Sequence, residues 1–321
     1  MKNFKTKLLT LTLAILMLLS LVACSPEEPE TTTVRIYTLN GTTGFGFAKL
    51  MNDYTGKTDY EISVQTDPDV VTKALIAGEI DIAALPTNAA ANLYKRTNGE
   101  IQILAINTLG CFHLLSKNSA ITDLSQLAGQ TIYTPAQNPY FVTKYLFEQK
   151  GIQVTVDSSK YAQPEALKNA VASGMVDYAV LPEPMVTIAK SAAKNQGVTI
   201  NSFDLAPVWS SVSSEKLTIG CIVARKEFIQ SNPDAVTKFL TEYKASIEFM
   251  NANVEEAAQM IVDQGIFANA AVAKNAIPRC NVVYLDGAEM KTAMHNYISI
   301  LANISSTYSV PDDGFYYIAN Q

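Results

Sequence analysis

The chain has 321 residues, 48% of them hydrophobic and 17% charged, which is enough apolar material for one large core or two moderate ones and excludes wholesale disorder. A formal net charge of −6 with no basic stretch excludes a surface built to neutralise phosphates, so nucleic acid is not expected as a partner. Four cysteines without CxxC spacing signal neither a disulfide framework nor a zinc site.

In chain order, Lys2, Lys5 and Lys7 precede an apolar run from Leu8 to Leu19, the layout of a secretory signal. The run is short for a bilayer span, which weighs against an uncleaved anchor. It meets Leu21-Val22-Ala23-Cys24, which resembles the lipobox of bacterial lipoproteins. That resemblance implies a signal peptide over residues 1–23 and a Cys24 that becomes the first mature residue, diacylated on sulfur. A plain signal peptide cleaved nearby is the alternative. Residues 24–33 are acidic and Pro-containing, with no apolar residue after Cys24, and read as a flexible tether to the membrane. The three remaining cysteines, Cys111, Cys221 and Cys280, are odd in number and are expected as buried small hydrophobes.

Residues 34–38 alternate as a first strand and run into a Gly/Thr-rich loop over 39–44, then an apolar helix over 45–54. Strand, loop and helix in that order aim backbone N–H groups at a ligand, although an ordinary turn reads the same. No Gly-Lys-Ser/Thr follows, so this is not a P-loop, nor is it the dinucleotide fingerprint. Residues 60–66 alternate as a second strand, and Asp67-Pro68-Asp69 caps the helix that follows. Thr87-Asn88 offers an N-cap for a helix through Tyr94, and 101–107 is a continuous apolar strand. Residues 131–133 form a strand leading into the loop over 134–139 and a helix over 140–150. Short strands follow at 154–156 and 198–203, an irregular segment holds Trp209, and 218–224 is again an apolar strand. Beyond it the pattern is helical, over 234–251, 254–264 and 288–304, and the aromatic tail from Pro311 to Tyr317 is expected to pack back onto the fold.

One stretch is written twice. Gly78, Asp81, Leu85 and Pro86 recur as Gly174, Asp177, Leu181 and Pro182 at a constant offset. Each copy follows apolar residues at helix spacing: Val70, Val71, Ala74 and Leu75 before the first, Ala166, Leu167, Ala170 and Val171 before the second. The Gly suits a left-handed helix cap, the apolar run a buried strand, and the Pro stops its ladder. Two helix–Gly–strand–Pro units predict two similar α/β lobes.

These segments, with Leu127 to Ile132 and Ser231-Asn232-Pro233-Asp234-Ala235-Val236 before a long helix, resemble ABC-transporter solute-binding proteins of the type II periplasmic-binding-protein fold. The group in question includes the nitrate, sulfonate, taurine and thiamine-precursor binders, and the likeness covers residues 34–318. Gln126 and Gln130 stand where the group carries charged ends. The resemblance implies an α/β fold of two lobes, each a mixed sheet flanked by helices, with the ligand cleft between them. Lobe 1 would take residues 34–115 and 215–321 and lobe 2 residues 116–214, with crossovers near Ser116 and between Ser213 and Thr218. Ligand would lie at loops beyond the carboxyl ends of strands. That places Asn40, Thr42, Thr43, Gly44, Thr87, Asn88, Thr108, Asn138, Tyr140 and Glu183 as candidate ligand contacts. Function should lie just beyond the repeated prolines, where Thr87-Asn88 faces Glu183-Pro184 as the point of difference.

Asp81 and Asp177 open strands at the repeated corner and are expected to hydrogen-bond loop backbone there, outside the site. Glu183 stands at the cleft end of its strand; it either accepts from a cationic or aminopyrimidine group or stabilises a helix N-terminus. Thr87 and Asn88 read equally as helix caps. Phe45 and Trp209 read first as core, and Tyr140 as a stacking candidate. His113 and His295 lack partners at metal-ligand spacing, and neither a metal nor another cofactor is expected. Arg35, Arg96, Arg225 and Arg279 fall outside the proposed cleft loops, which mildly favours a neutral or cationic ligand over a clamped anion. The expected function is a lipid-anchored extracytoplasmic solute receptor, capturing a pyrimidine, amine, sulfonate or nitrate-like molecule by lobe closure and delivering it to an ABC permease and its ATPase. An enzyme of pyrimidine-precursor or menaquinone type on the same fold, and a sensor subunit, are the alternatives; no nucleophile elbow, HExxH or Cys-His cluster supports the enzyme.

Overall fold

In a computed structural model, residues 32–319 are described. The signal segment, Cys24 and the tether up to residue 31 lie outside the described residues. β1 (Val34–Leu39) leads into α1 (Thr42–Phe45) and α2 (Ala48–Asp53), then β2 (Tyr60–Gln65), α3 (Pro68–Ala77), β3 (Ile82–Pro86), α4 (Thr87–Arg96) and β4 (Ile101–Leu109). Next come β5 (Phe112–Lys117), β6 (Thr131–Tyr133), α5 (Asn138–Gln149), β7 (Thr155–Asp157), α6 (Pro164–Ala172), β8 (Tyr178–Pro182), α7 (Met185–Asn195), β9 (Ile200–Asp204) and α8 (Ala206–Val212). The chain continues with β10 (Thr218–Arg225), α9 (Lys226–Ser231), α10 (Pro233–Ala252), α11 (Val254–Asp263), α12 (Ala270–Ala276), β11 (Val282–Leu285) and α13 (Gly287–Ile304).

The strands form two mixed sheets, β11-β4-β10-β3-β1-β2 and β7-β6-β8-β5-β9. In the first, β1 pairs in parallel with β2 and β3, while β10 runs antiparallel between β3 and β4. In the second, β6 pairs in parallel with β7 and β8, while β5 runs antiparallel between β8 and β9. Each sheet therefore repeats one plan, in which a strand arriving from elsewhere in the chain is inserted antiparallel beside the third. The repeated sequence corner supplies that third strand both times, β3 and β8.

Gly78 and Gly174 have φ of 71° and 69°, the left-handed conformation that ends the helix and turns the chain into the strand. The chain passes from the first sheet to the second at Gly110-Cys111 and returns between Asp204 and Thr218. Ser116 lies inside β5 and pairs with Tyr178, so the first crossing precedes the expected point. Trp209, expected in an irregular segment, sits in α8.

The central strands are buried on both faces, which is why they read as continuous apolar runs. Along β10, Ile222 and Ala224 face a layer containing Phe47, Phe239 and Tyr243, while Cys221 and Val223 face one containing Leu75, Leu93 and Met294. In the second sheet, Leu115 and Leu181 meet Leu167 and Val186 from α6 and α7. The aromatic tail packs back as expected, with Tyr316 bridging Ile103 and Phe315 fully buried. No helix among the described residues is long and apolar enough to cross a membrane.

Candidate functional site

A cavity of about 590 Å³ lies between the two sheets. One wall holds residues 40–43 beyond β1, residues 67–69 beyond β2, and Asn88, Asn92 and Arg96 along α4. The other holds residues 137–139 beyond β6, Gln163 and Pro164 at the start of α6, and residues 182–185 beyond β8. Cys111 and Phe112, from the crossing segment, close it off. Five helices, α3 to α7, begin on these walls. Their first-turn N–H groups have no intrahelical acceptors and carry the positive end of the helix dipole.

Of the candidate contacts, Asn40, Thr42, Thr43, Asn88, Asn138 and Glu183 line the cavity. Thr42 Oγ1 donates to the Glu183 carbonyl across it at 2.6 Å. Asn88 Nδ2 donates to Gln137 Oε1 at 2.9 Å and to Tyr308 Oη at 3.2 Å, while Asn88 Oδ1 is buried without a hydrogen-bond partner. Asn138 Oδ1 accepts from Tyr297 Oη at 3.0 Å. Gly44, Thr87, Thr108 and Tyr140 do not line it. Thr87 is the first residue of α4 without capping it; its Oγ1 donates to the Thr218 carbonyl at 2.8 Å. Thr108 Oγ1 donates to Asn107 Oδ1 on β4, and the Tyr140 ring lies edge-on against Phe141. Gly44 sits under the loop, where a Cβ would meet the Leu39 carbonyl oxygen at 2.0 Å.

The Glu183 side chain is wholly buried and both its oxygens are taken. Oε1 accepts from Arg279 Nε at 2.7 Å, and Oε2 accepts from the Thr187 amide at 3.1 Å and its hydroxyl at 2.8 Å. Of the two alternatives read from the sequence, the helix N-terminus role is the one formed, at the first turn of α7, and the cation the carboxylate meets is Arg279. The arginines also depart from expectation, since Arg96 lines the cavity and Arg279 reaches the Glu183 at its edge. Asp81 does not line the cavity, and its partners are Arg35 and Arg225 as well as backbone; its counterpart Asp177 is exposed.

Gln137 and Gln163 also line the cavity and are not among the contacts expected from the sequence, and Arg96 joins them against expectation. For Gln163 a signal existed, because the offset that relates Gly78 to Gly174 also relates Asp67-Pro68 to Gln163-Pro164. Both pairs start helices on opposite walls of the cavity. Among the described residues, no group of three or more His, Cys, Asp and Glu could hold a metal ion.

Several known proteins share this arrangement. A crystal structure of an ABC transporter protein from Parabacteroides distasonis superposes with a TM-score of 0.76 at 21% identity, covering 90% of this chain and 100% of that one. The periplasmic aliphatic sulphonate binding protein of Escherichia coli superposes with a TM-score of 0.70 at 15% identity, covering 90% of this chain and 93% of that one. These likenesses establish the periplasmic-binding-protein-like fold. A binding protein of Brucella abortus is 21% identical over 203 residues, 63% of this chain, and the match spans only 60% of that relative's length. The profile of the family described as "ABC transporter, phosphonate, periplasmic substrate-binding protein" matches residues 45–273. With two sheets built on one plan and a cavity ringed by strand ends and helix starts, the chain belongs to this family of ABC-transporter periplasmic substrate-binding proteins.

Proposed function

We propose that the protein is the extracytoplasmic receptor of an ABC importer, and that it captures a small molecule bearing a phosphonate- or sulfonate-like oxyanion by closing its two lobes. It then hands this cargo to a permease powered by its ATPase, with no chemistry on the ligand. The observation that carries the reading is the cavity wall itself. Five helix starts and Arg96 surround the space, and the buried Glu183 carboxylate is already paired with Arg279; the exposed Asp67 and Asp69 on the same wall oppose an anion, Asp67 being engaged with the Asp69 amide. Family membership and the aliphatic sulphonate named for one structural relative support the same ligand class. The expectation of a neutral or cationic ligand, drawn from arginines outside the cleft loops, weakens because Arg96 lines the cavity and Arg279 reaches Glu183 at its edge.

The proposed ligand contacts are Asn40, Thr42, Thr43, Asn88 and Asn138, joined by Gln137, Gln163 and Arg96. Lipidation of Cys24 would hold the receptor at the membrane. The deciding measurement is a thermal-shift panel of alkylphosphonates, aminoalkylphosphonates, alkylsulfonates, nitrate, pyrimidines and simple amines. A ligand that binds only the folded state at about 100 times its Kd adds about 2.7 kcal/mol of stability. Strong stabilisation by a pyrimidine or amine, with none by any oxyanion, would sink the proposal.

A further inference from the structure

We infer that Asn40 is a self-modification site: the Gly41 amide closes onto its side chain and, with loss of ammonia, turns a neutral position of the cavity wall into a carboxylate. The chain carries Asn-Gly twice, at Asn40-Gly41 and at Asn98-Gly99. A glycine after asparagine has no Cβ to obstruct the approach of its nitrogen to the asparagine Cγ, which opens this dipeptide to ring closure. The two copies differ in what their backbones do. Asn40 follows β1 on the cavity wall and is exposed, and its side-chain amide has no hydrogen-bond partner among the described residues. The Gly41 amide, which must give up its proton to become the nucleophile, donates only over a long 3.4 Å to the Ile266 carbonyl. Asn98 is exposed too, but it sits in the turn that ends α4, with φ of 52°. There the Gly99 amide donates to the Tyr94 carbonyl at 3.0 Å and the Asn98 amide to the Lys95 carbonyl at 3.3 Å. A proton held in a well-formed hydrogen bond is harder to remove, and a nitrogen tied to Tyr94 is not free to turn onto Asn98 Cγ. Fold, not local sequence, therefore singles out Asn40.

The chemistry needs only water. The Gly41 nitrogen loses its proton to hydroxide and attacks Asn40 Cγ. A new C–N bond closes a cyclic imide, and the side-chain nitrogen takes up a proton and leaves as ammonia. Water then opens the ring. Cleavage of the new bond gives aspartate on an unchanged backbone. Cleavage of the original peptide bond to Gly41 instead leaves the chain running through Cβ and Cγ, one carbon longer, with the carboxylate on Cα. One water is consumed, one ammonia is released, and nothing is oxidised. Either product adds a negative charge to a wall that already carries Asp67 and Asp69. The lengthened form also displaces the backbone just before Thr42, whose hydroxyl reaches the Glu183 carbonyl at 2.6 Å. Both weaken capture of an oxyanion, a consequence that rests on the proposed ligand class; the modification itself does not.

The test incubates the full chain in alkaline buffer, folded in one arm and in concentrated urea in the other, and peptide-maps both over time. In the folded arm the peptide carrying Asn40 should exchange an NH2 for a hydroxyl in mass and split into aspartyl and isoaspartyl forms. It should do so several-fold faster than the peptide carrying Asn98, the worth of one hydrogen bond, and in urea the two rates should converge. Asn40→Gln, whose longer side chain closes a less favourable ring, should stay unmodified at that position. Methylphosphonate titration of the fresh chain, the aged chain and Asn40→Asp reads the consequence, a loss of affinity of about tenfold in the last two. An Asn40 peptide that keeps its mass in the folded arm, or changes no faster than the Asn98 peptide, overturns the proposal. Full conversion with affinity unchanged overturns its effect on capture. If methylphosphonate does not bind even the fresh chain, the oxyanion reading falls while the map still decides the modification. Should Asn40→Gln fail to fold, the map of the unsubstituted chain decides alone.

Discussion

Asp81 shows how much one side chain can hold. Its carboxylate is 5% exposed and receives the Arg35 amide at 3.0 Å, Arg35 Nη2 at 2.7 Å and Arg225 Nη2 at 2.7 Å. Burial alone would raise this carboxyl, but hydrogen bonds from the two guanidinium groups outweigh it and hold the group below the usual carboxylate range. A depressed carboxyl stabilises the fold at every pH above the unfolded value of about 3.9, and that contribution is lost as pH falls through the lower folded value. Asp81→Asn should therefore cost about 3 kcal/mol at neutral pH, the lower end for breaking a buried pair because the Arg35 side chain is 38% exposed. Asp177→Asn, at the equivalent but exposed position, should stay within about 0.5 kcal/mol. Urea unfolding of both variants checks the contrast, and the Asp81→Asn deficit should shrink below about pH 4. Equal costs at the two positions would show that the repeat confers the same role on both. The sequence sets both residues apart from the candidate contacts, and neither lines the cavity, yet it does not distinguish them. Arg35 and Arg225 reach Asp81 from β1 and β10, and such long-range partners leave no local pattern.

At the scale of elements, what was legible is what has a period. The corners before β3 and β8 were readable because a helical stripe, a left-handed glycine and a buried strand each leave a signature. β11 was not: Val282-Val283-Tyr284-Leu285 is only four residues long and lies between helical stretches. α8 was missed because tertiary packing of Trp209 against Tyr145 and Tyr297, not periodicity, secures it. Two glycines separate conformation from space. Gly78→Ala forces a Cβ into φ 71° with no backbone atom near, costing about 1–2 kcal/mol. Gly44→Ala lies at an ordinary φ but drives a Cβ to 2.0 Å from the Leu39 carbonyl oxygen, which is itself fixed in β1. A main-chain atom cannot swing aside as a side chain can, so its cost should reach about 3 kcal/mol or more and displace the loop over 40–43. Thermal unfolding should rank Gly44→Ala below Gly78→Ala; the reverse order would mean that the loop yields freely.

For the whole molecule, the two lobes are linked by direct contacts across the cleft. Thr42 reaches the Glu183 carbonyl, Asn88 reaches Gln137, and Arg279 holds both Glu183 and Thr187. The sequence could suggest two lobes but not these fastenings, which join residues up to 141 positions apart. Arg279 is the strongest of them because its partner is fully buried while Arg279 itself is 46% exposed. Removing the guanidinium leaves the Glu183 carboxylate with only Thr187, a loss on the order of 2 kcal/mol for a charge-assisted hydrogen bond. Opening the cleft relieves that loss by admitting water, whereas unfolding the lobes gains nothing more. Arg279→Ala should therefore raise the open population about 30-fold at 2 kcal/mol, visible as a larger radius of gyration by solution scattering. Adding Glu183→Gln removes the stranded charge, so the double variant should return towards the compact form, a coupling that only a contacting pair shows. If both variants scatter like the unsubstituted protein, the pair lies outside the hinge motion. Closure would then rest on Thr42, Asn88 and the ligand itself.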